Sequence, residues 1–367
     1  MKCMRLYCRF FRHRRVVWIP PVAFLTAFLI YLSFFTSLSN PTGGTDNNIC
    51  MCGLCRPKRN GTEWYETRFN NSIEPLLTRK DQEIPKLVQK WWLKIQGGNN
   101  ASSIPEVLEK MFKVIPPGNP YTEQQNRPCR SCAVVGNSGK LKGSNHGNKI
   151  DSHDLIFRMN GARIYGFEED VGSRTTHHFM YPESAVHLPI GVHLMLIPFK
   201  IKDLEWVAST FTTGEIKRTY TRVMRFIRAD KDKFCSVRLI GCLRWSVRQS
   251  LVTPCSVHFG DPAVNSEFST ESVLVVNPAF FKYIHDNWTD HHGRYPSTGM
   301  LVLFFALHIC DEISVFGFGA DKNGNWHHYW EKNKYAGAFR TTGVHNAGFE
   351  SKLITKLVEE GKLEFYK

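Results

Sequence analysis

AVVGNSG, residues 133–139, runs from three apolar residues directly into a turn of Gly, Asn and Ser. This pattern is typical of a short buried strand that ends in a glycine-rich loop. Similar apolar runs follow along the chain: LIFRMN (155–160), HLMLIPF (193–199), VLVVN (273–277), ISVFGFG (313–319) and LEFY (363–366). Helical patterns lie between them, among them 201–211 and 298–310. The alternation predicts one α/β domain with a mostly parallel sheet. Ligands of such sheets bind beyond the carboxyl ends of the strands, where the Asn-Ser-Gly, Met-Asn and Phe-Gly-Ala-Asp segments are expected to converge.

Two loops carry groups that suit an anionic ligand. The glycines of the 136–139 turn permit close approach of a phosphate to the backbone, and Asn137 adds a neutral amide. This turn lacks the spacing of a P-loop or a dinucleotide site, so a plain strand turn is an alternative. The second loop, YPSTG at 295–299, precedes an apolar helix. Ser297 and Thr298 are good helix caps there, and they could equally offer hydroxyls and amides to an anion.

The densest group of reactive side chains is GNWHHYWE, residues 324–331. It sets two histidines among three aromatic residues and one acid, a combination that suits sugar or base stacking and proton transfer. A further histidine, His345, follows. A functional role explains this group better than buried structural histidines do. The alternative is a zinc site built from His327, His328 and His345, although the HExxH spacing is missing.

The N-terminal part of the chain is typical of a membrane anchor. Residues 16–38 contain no charged residue and, at about 1.5 Å per residue, are long enough to cross a bilayer as a helix. Basic residues and no acid precede them, so residues 1–15 are predicted to be a cytoplasmic tail. A cleaved signal peptide is the alternative. Residues 39–75 are then a stem, and 76–367 a lumenal globular domain.

Sequons and cysteines agree with a lumenal location. Four Asn-x-Ser/Thr sequons are candidate glycosylation sites: Asn60, Asn70, Asn100 and Asn287. Nine cysteines follow the apolar segment, and in an oxidising compartment many of them should pair. The formal net charge is +14, but no concentrated Lys/Arg stripe lies outside the N-terminal tail. The charge pattern therefore does not favour nucleic acid as a partner.

Four segments, in this order, resemble the motifs of animal sialyltransferases. Residues 129–184, which begin CRSCAVVGNSG, look like the large sialyl motif, and HGRYPSTGMLVLFFALHICDEISVFGFG (292–319) resembles the small one. HHYW (327–330) is similar to the third motif, and the segment from His345 to Glu350 to the very small one. Within the family, the chain is most similar to β-galactoside α-2,3-sialyltransferases of the core 1 (Galβ1-3GalNAc) type.

This resemblance implies a GT-A-like variant of the Rossmann-type fold for residues 76–367, held in the Golgi membrane by one signal-anchor helix with the catalytic domain in the lumen. The implied reaction transfers sialic acid from CMP-sialic acid to the 3-hydroxyl of a terminal galactose, with inversion and without a metal or other cofactor. The implied partners are CMP-sialic acid, galactose-terminated glycans of glycoproteins or glycolipids, and the membrane. A homo-oligomer is compatible with this interpretation.

The same resemblance assigns roles to individual residues. His345 would be the general base for the galactose 3-hydroxyl, and His328 would contact the CMP phosphate. The other implied substrate-binding residues are Asn137, Asn160, Tyr220, Tyr295, Ser297, Thr298, Gly299 and Gly319, with Gln96 toward the acceptor sugar. The implied disulfides are Cys50–Cys55, Cys52–Cys129 and Cys132–Cys310.

Residues 234–272 depart from the family pattern, so that the resemblance covers about residues 50–233 and 273–367. These 39 residues show no period and hold three cysteines. A structureless loop of this length is uncommon inside a compact domain. It is interpreted either as a gene-model artefact, such as a translated intron, or as the lumenal loop of an isoform. Two other functions stay as alternatives: a zinc hydrolase sensitive to chelators, and a non-catalytic glycan-binding protein insensitive to His345→Ala.

Overall fold

The computed structural model describes residues 61–81, 83–95, 103–115, 118–121, 129–227, 273–321, 323–334, 337 and 342–367. Contacts divide the chain into Met1–Ile49 and Cys50–Lys367, and the described residues all belong to the second unit. Several predicted features lie outside the described residues: the anchor at 16–38, Cys50, Cys52, Cys55, Asn60, Gln96, Asn100 and the 234–272 segment. Within the described ranges, no helix has the length and apolar character needed to span a bilayer.

A parallel sheet of seven strands organises the described part of the chain. The strands are β1 (Ser131–Val135), β2 (Leu155–Met159), β3 (His177–Met180), β4 (His193–Leu196), β5 (Val273–Val275), β6 (Glu312–Phe316) and β7 (Glu364–Tyr366). Their order is β5-β4-β3-β2-β1-β6-β7, and each neighbouring pair is parallel. The predicted α/β fold with a parallel sheet is therefore confirmed.

Helices connect and cover these strands. They are α1 (Glu63–Glu66), α2 (Lys86–Ile95), α3 (Ile104–Phe112), α4 (Gly147–Asp151), α5 (Glu168–Val171), α6 (Ile201–Thr210), α7 (Pro278–Asn287), α8 (Thr298–Ile309) and α9 (Ala347–Glu359). The predicted helices at 201–211 and 298–310 thus appear as α6 and α8, each within one residue of its expected end. Short 3-10 turns at Gly139–Leu141 and Pro182–Ser184 follow the ends of β1 and β3.

The strand order places a switch point between β1 and β6. From β1 the chain builds outward through β2, β3, β4 and β5 on one side, and then adds β6 and β7 on the other. Val135 lies opposite Arg158 of β2 and Phe316 of β6, so the three strands end at the same level. Because the loops after such strands diverge, a crevice opens at their carboxyl ends.

Helix α8 lies in the core, against β1, β2 and β6. Its sequence is apolar on every face, and each residue from Met300 to Ile309 is buried, as expected for a helix without a polar side. A disulfide joins Cys310, directly after the helix, to Cys132 near the start of β1. The helix therefore runs antiparallel to β1, and its N-terminus lies near the carboxyl ends of the strands. Cys129 is also disulfide-bonded, and its predicted partner Cys52 lies outside the described residues.

Candidate active site

A cavity of about 400 Å³ occupies the crevice between the ends of β1, β2 and β6 and the N-terminus of α8. Eight of the residues predicted to be catalytic or to bind substrate line it: Asn137, Asn160, Ser297, Thr298, Gly299, Gly319, His328 and His345. These residues come from four segments that are far apart in the chain. The parallel sheet brings them together, as expected for loops that follow adjacent strands.

Glycines allow the loops after β1 and β6 to interlock. A Cβ on Gly136 would lie 2.4 Å from the carbonyl oxygen of Gly317, so no larger residue fits without displacing backbone. The Ser138 amide donates to the Gly317 carbonyl at 2.9 Å, and the Ser138 hydroxyl donates to the Gly319 carbonyl at 2.7 Å. The glycine turn is thus a packing requirement of the switch point, and it also exposes backbone to the cavity.

Two asparagines follow β1 and β2 and face the same cavity. The Asn137 side-chain amide donates from Nδ2 to the Met159 carbonyl at 3.0 Å. Its Oδ1 is buried and has no hydrogen-bond partner among the described residues. Asn160 has a left-handed backbone (φ 55°), which asparagine tolerates better than most residues. Its carbonyl accepts a hydrogen bond from Nε2 of His178 at 2.6 Å, which fixes this conformation. A buried acceptor without a partner, such as Asn137 Oδ1, suits a hydroxyl or amino group of a ligand.

The YPSTG loop caps α8, and Glu350 in turn binds the backbone of this loop. The Ser297 side chain accepts from the Met300 amide at 3.3 Å, which confirms the predicted cap. The Ser297 amide donates to Glu350 Oε1 at 2.8 Å. Burial raises the pKa of Glu350 to about 7, although its hydrogen bonds with Ser297 oppose this. The first turn of α8 lines the cavity with Thr298, Gly299 and Met300, where the helix dipole favours negative charge.

His345 lies on the cavity wall with a defined tautomer. Its Nδ1 lies 2.9 Å from the carbonyl oxygen of Tyr295. Because a carbonyl only accepts, Nδ1 carries the proton and Nε2 is the basic nitrogen of the neutral ring. Burial lowers the pKa of His345 below its ordinary value, with the hydrogen bond to Tyr295 acting in the opposite direction. The ring is therefore neutral near pH 7 and able to take a proton.

His328 is oriented by its own neighbours. Its Nδ1 lies 2.9 Å from Glu331 Oε1, and its ring stacks on Trp330 with centroids 4.5 Å apart. His327 lines the same cavity. In the described ranges, no three His, Cys, Asp or Glu side chains come together as metal ligands. His327, His328 and His345, the alternative zinc ligands, therefore do not form such a group.

Two of the predicted substrate-binding residues, Tyr295 and Tyr220, do not line the cavity. Tyr295 is buried beside the cavity, and its ring contacts His345 edge-on at 4.9 Å. Tyr220 does not line the cavity, and 70% of it is exposed. The lining residues that were not singled out from the sequence include Lys140, Tyr181 and Trp326. Their positions in the sequence could have indicated them: Lys140 directly follows the glycine turn, Tyr181 directly follows β3, and Trp326 belongs to the GNWHHYWE run.

Comparison with known proteins gives one consistent result. A family model described as glycosyltransferase family 29 (sialyltransferase) matches residues 76–362. The chain is 49% identical to the CMP-N-acetylneuraminate-beta-galactosamide-alpha-2,3-sialyltransferase 2 of Mus musculus, over 87% of this chain and 80% of that protein. It is 39% identical to the corresponding sialyltransferase 1 of Homo sapiens, over 94% of this chain and 96% of that protein.

Solved structures agree with these relatives. The crystal structure of a mammalian sialyltransferase matches with a TM-score of 0.70 and 41% identity, over 87% of this chain and 98% of that one. A second crystal structure, of a mammalian sialyltransferase in complex with Gal-beta-1-3GalNAc-ortho-nitrophenol, matches with the same TM-score and identity, over 99% of that chain.

Proposed function

Because this chain belongs to glycosyltransferase family 29, the sialyltransferases, we propose that its cavity transfers sialic acid from CMP-sialic acid to the 3-hydroxyl of a terminal galactose. The relatives compared above are named β-galactosamide α-2,3-sialyltransferases, which supports the linkage. The solved relative that holds a Gal-beta-1-3GalNAc compound supports Galβ1-3GalNAc as the acceptor. On this proposal, the domain is a GT-A-like variant of the Rossmann-type fold.

The hydrogen bond from His345 to Tyr295 is the observation that carries the mechanism. It leaves Nε2 of a neutral imidazole as the base. In the proposed step, Nε2 takes the proton of the galactose 3-hydroxyl while the oxygen bonds to the anomeric carbon of sialic acid. The bond from that carbon to the phosphate oxygen breaks, and CMP leaves with the electron pair. Attack from the face opposite the phosphate inverts the configuration, through a transition state with oxocarbenium character.

The donor carries two anionic groups, a phosphate and a carboxylate, and the cavity offers several groups of opposite polarity. The N-terminal first turn of α8, with the positive end of its dipole, and Lys140 line the cavity. His328, oriented by Glu331, is placed to stabilise the charge that develops on the leaving phosphate. Asn137 Oδ1 is suited to accept from a hydroxyl of the ribose or the amino group of cytosine. We therefore propose a reaction without a metal or other cofactor.

The cellular setting is proposed from the sequence. Residues 16–38 would anchor the enzyme as a type II protein of the Golgi membrane, with the stem at 39–75 and the catalytic domain in the lumen. Asn70 and Asn287 are both exposed, as N-glycosylation requires; Asn60 and Asn100 are proposed on sequence alone. Whether residues 234–272 are translated is decided by sequencing the mature transcript across them.

The test is sialic acid transfer by the full chain in detergent, with CMP-sialic acid and Galβ1-3GalNAc. We expect an α-2,3-linked product, equal rates with and without EDTA, and a rate about 10²–10⁴-fold lower for His345→Ala. His291→Ala is the matched control, since this histidine is exposed and does not line the cavity. A variant that lacks 234–272 runs in parallel. Rates that collapse with EDTA would favour the zinc alternative, and glycan binding without transfer would favour the non-catalytic one.

A further inference from the structure

Asn160 lines the cavity in a backbone conformation that needs support from its surroundings. Its φ of 55° places it in the left-handed region, which asparagine enters more readily than most residues but still at a cost in free energy. Gly161 follows, and a Cβ at that position would meet no atom within 4 Å. Packing of the next residue therefore does not hold the peptide group that leaves Asn160.

Strand β3 binds both polar groups of the Asn160 backbone. The Asn160 amide donates to the Phe179 carbonyl at 2.8 Å, which continues the pairing of β2 with β3. The Asn160 carbonyl accepts from Nε2 of His178 at 2.6 Å. The first bond is made by the backbone of β3 and the second by a side chain. Replacement of His178 can therefore release the peptide group after Asn160 without removing a bond of the sheet.

His178 is a buried donor whose proton does not depend on pH in the neutral range. It is 5% exposed, and it lies opposite Arg158 of β2 and Leu194 of β4. Burial, chiefly, and the charge of Arg158 lower the pKa of His178 to about 4, although the hydrogen bond to Asn160 opposes them. The ring is therefore neutral near pH 7. Because a carbonyl only accepts, the proton of this neutral ring lies on Nε2.

The Asn160 side chain lies beside the residue that we assign to the nucleotide, Asn137. Asn137 Nδ2 donates to the carbonyl of Met159, the residue directly before Asn160. From the turn after β3, the Ser184 hydroxyl donates to Asn160 Oδ1 at 3.0 Å. Both asparagines line the cavity, so a change in the backbone conformation of Asn160 would move its amide away from the nucleotide side of the site.

We propose that His178 is a positioning residue that holds Asn160 in its left-handed conformation and thereby directs the Asn160 side chain toward the donor nucleotide. His178 itself does not line the cavity, so it acts through Asn160 alone. This inference rests on the proposed function, in which the cavity binds CMP-sialic acid. Without the hydrogen bond, Asn160 would spend part of its time in other backbone conformations, and the donor would bind less tightly.

The experiment compares His178→Phe with His178→Gln in the full chain. Phenylalanine keeps a ring and removes the donor, whereas the glutamine amide can place a donor where Nε2 lies. We measure kcat and KM for CMP-sialic acid at saturating acceptor, and Kd for CMP by titration calorimetry. His178→Phe should raise the donor KM and the CMP Kd by about tenfold, with kcat changed by less than about threefold, because the lost interaction is one of binding. His178→Gln should stay within about threefold of the wild type in all three.

A double-mutant cycle with Asn160→Gly tests the route of the effect. Glycine adopts the left-handed conformation without strain and removes the side chain that His178 is proposed to direct. In the Asn160→Gly background, His178→Phe should therefore raise the CMP Kd by less than about twofold further. Independent losses, in which the pair is weaker than the wild type by the product of the two single effects, would overturn the role of His178.

His153→Phe is the matched control for the loss of a buried histidine. His153 is 9% exposed, its Nδ1 lies 2.9 Å from the Lys149 carbonyl, and it does not line the cavity. This control should melt lower than the wild type and keep the donor KM, and the same pattern in His178→Phe would overturn the proposal. If His178→Phe does not fold, His178→Asn, whose amide is too short to reach the Asn160 carbonyl, takes its place. A wild-type chain that transfers no sialic acid would instead refute the proposed function, while the CMP titrations still test His178.

Discussion

Replacing Glu350 by glutamine should make the protein more stable at high pH. This side chain is 7% exposed, and burial raises its pKa from 4.5 to about 7. At about 1.4 kcal/mol per pKa unit, keeping the carboxylate ionised in the folded state costs about 3 kcal/mol. Between pH 4.5 and 7 the folded protein binds more protons than the unfolded chain. Stability therefore falls as pH rises through this window, and the full cost is present above pH 7.

Glutamine is neutral at every pH, and its amide oxygen still accepts the hydrogen bond from the Ser297 amide. At pH 8 the variant should melt higher than the wild type by about 6 °C, at roughly 2 °C per kcal/mol for a large domain. At pH 5 the difference should shrink toward zero. Scanning calorimetry of both proteins at a fixed heating rate measures this. Glu359→Gln, an exposed change in the same helix, is the control and should follow the wild type. Parallel melting curves for wild type and Glu350→Gln across pH 5–8 would refute the argument.

Three further outcomes are expected. In the wild type, kcat/KM for the acceptor should be level near neutral pH and fall as the pH drops through the pKa of His345, which burial holds below 6.5. His345→Ala should lower kcat/KM by about 10²–10⁴-fold. A wild-type kcat/KM that increases as the pH is lowered below 6 would contradict His345 as the base. Cys132→Ser and Cys310→Ser should each lower the free energy of unfolding by up to about 5 kcal/mol, because the disulfide closes a loop of 178 residues. In thermal unfolding, the double variant should melt no lower than either single variant. Gly136→Ala should fail to fold or melt far lower because its Cβ would lie 2.4 Å from a backbone oxygen, whereas Gly161→Ala, with open space around it, should match the wild type.

Local patterns were sufficient for the elements around the site. The apolar runs after residues 130, 154 and 312 became β1, β2 and β6, because periodicity and flanking glycines act within a few residues. The cap of α8 was also readable, since Ser297 and the Met300 amide are three residues apart. The order of the seven strands could not be predicted from the sequence, because pairing between distant strands produces no local sequence pattern.

The sequence by itself determined the parallel α/β class and, through its motif residues, eight of the residues that line the cavity. Strand ends carry polar side chains, and a parallel sheet must collect those ends at one edge. Only the tertiary structure decided how these groups work. The tautomer of His345 depends on a carbonyl fifty residues away, at Tyr295. The raised pKa of Glu350 depends on its burial against the residue that caps α8, Ser297. Burial and long-range hydrogen bonds arise when the elements pack, so they are properties of the assembled fold and not of any local run of residues.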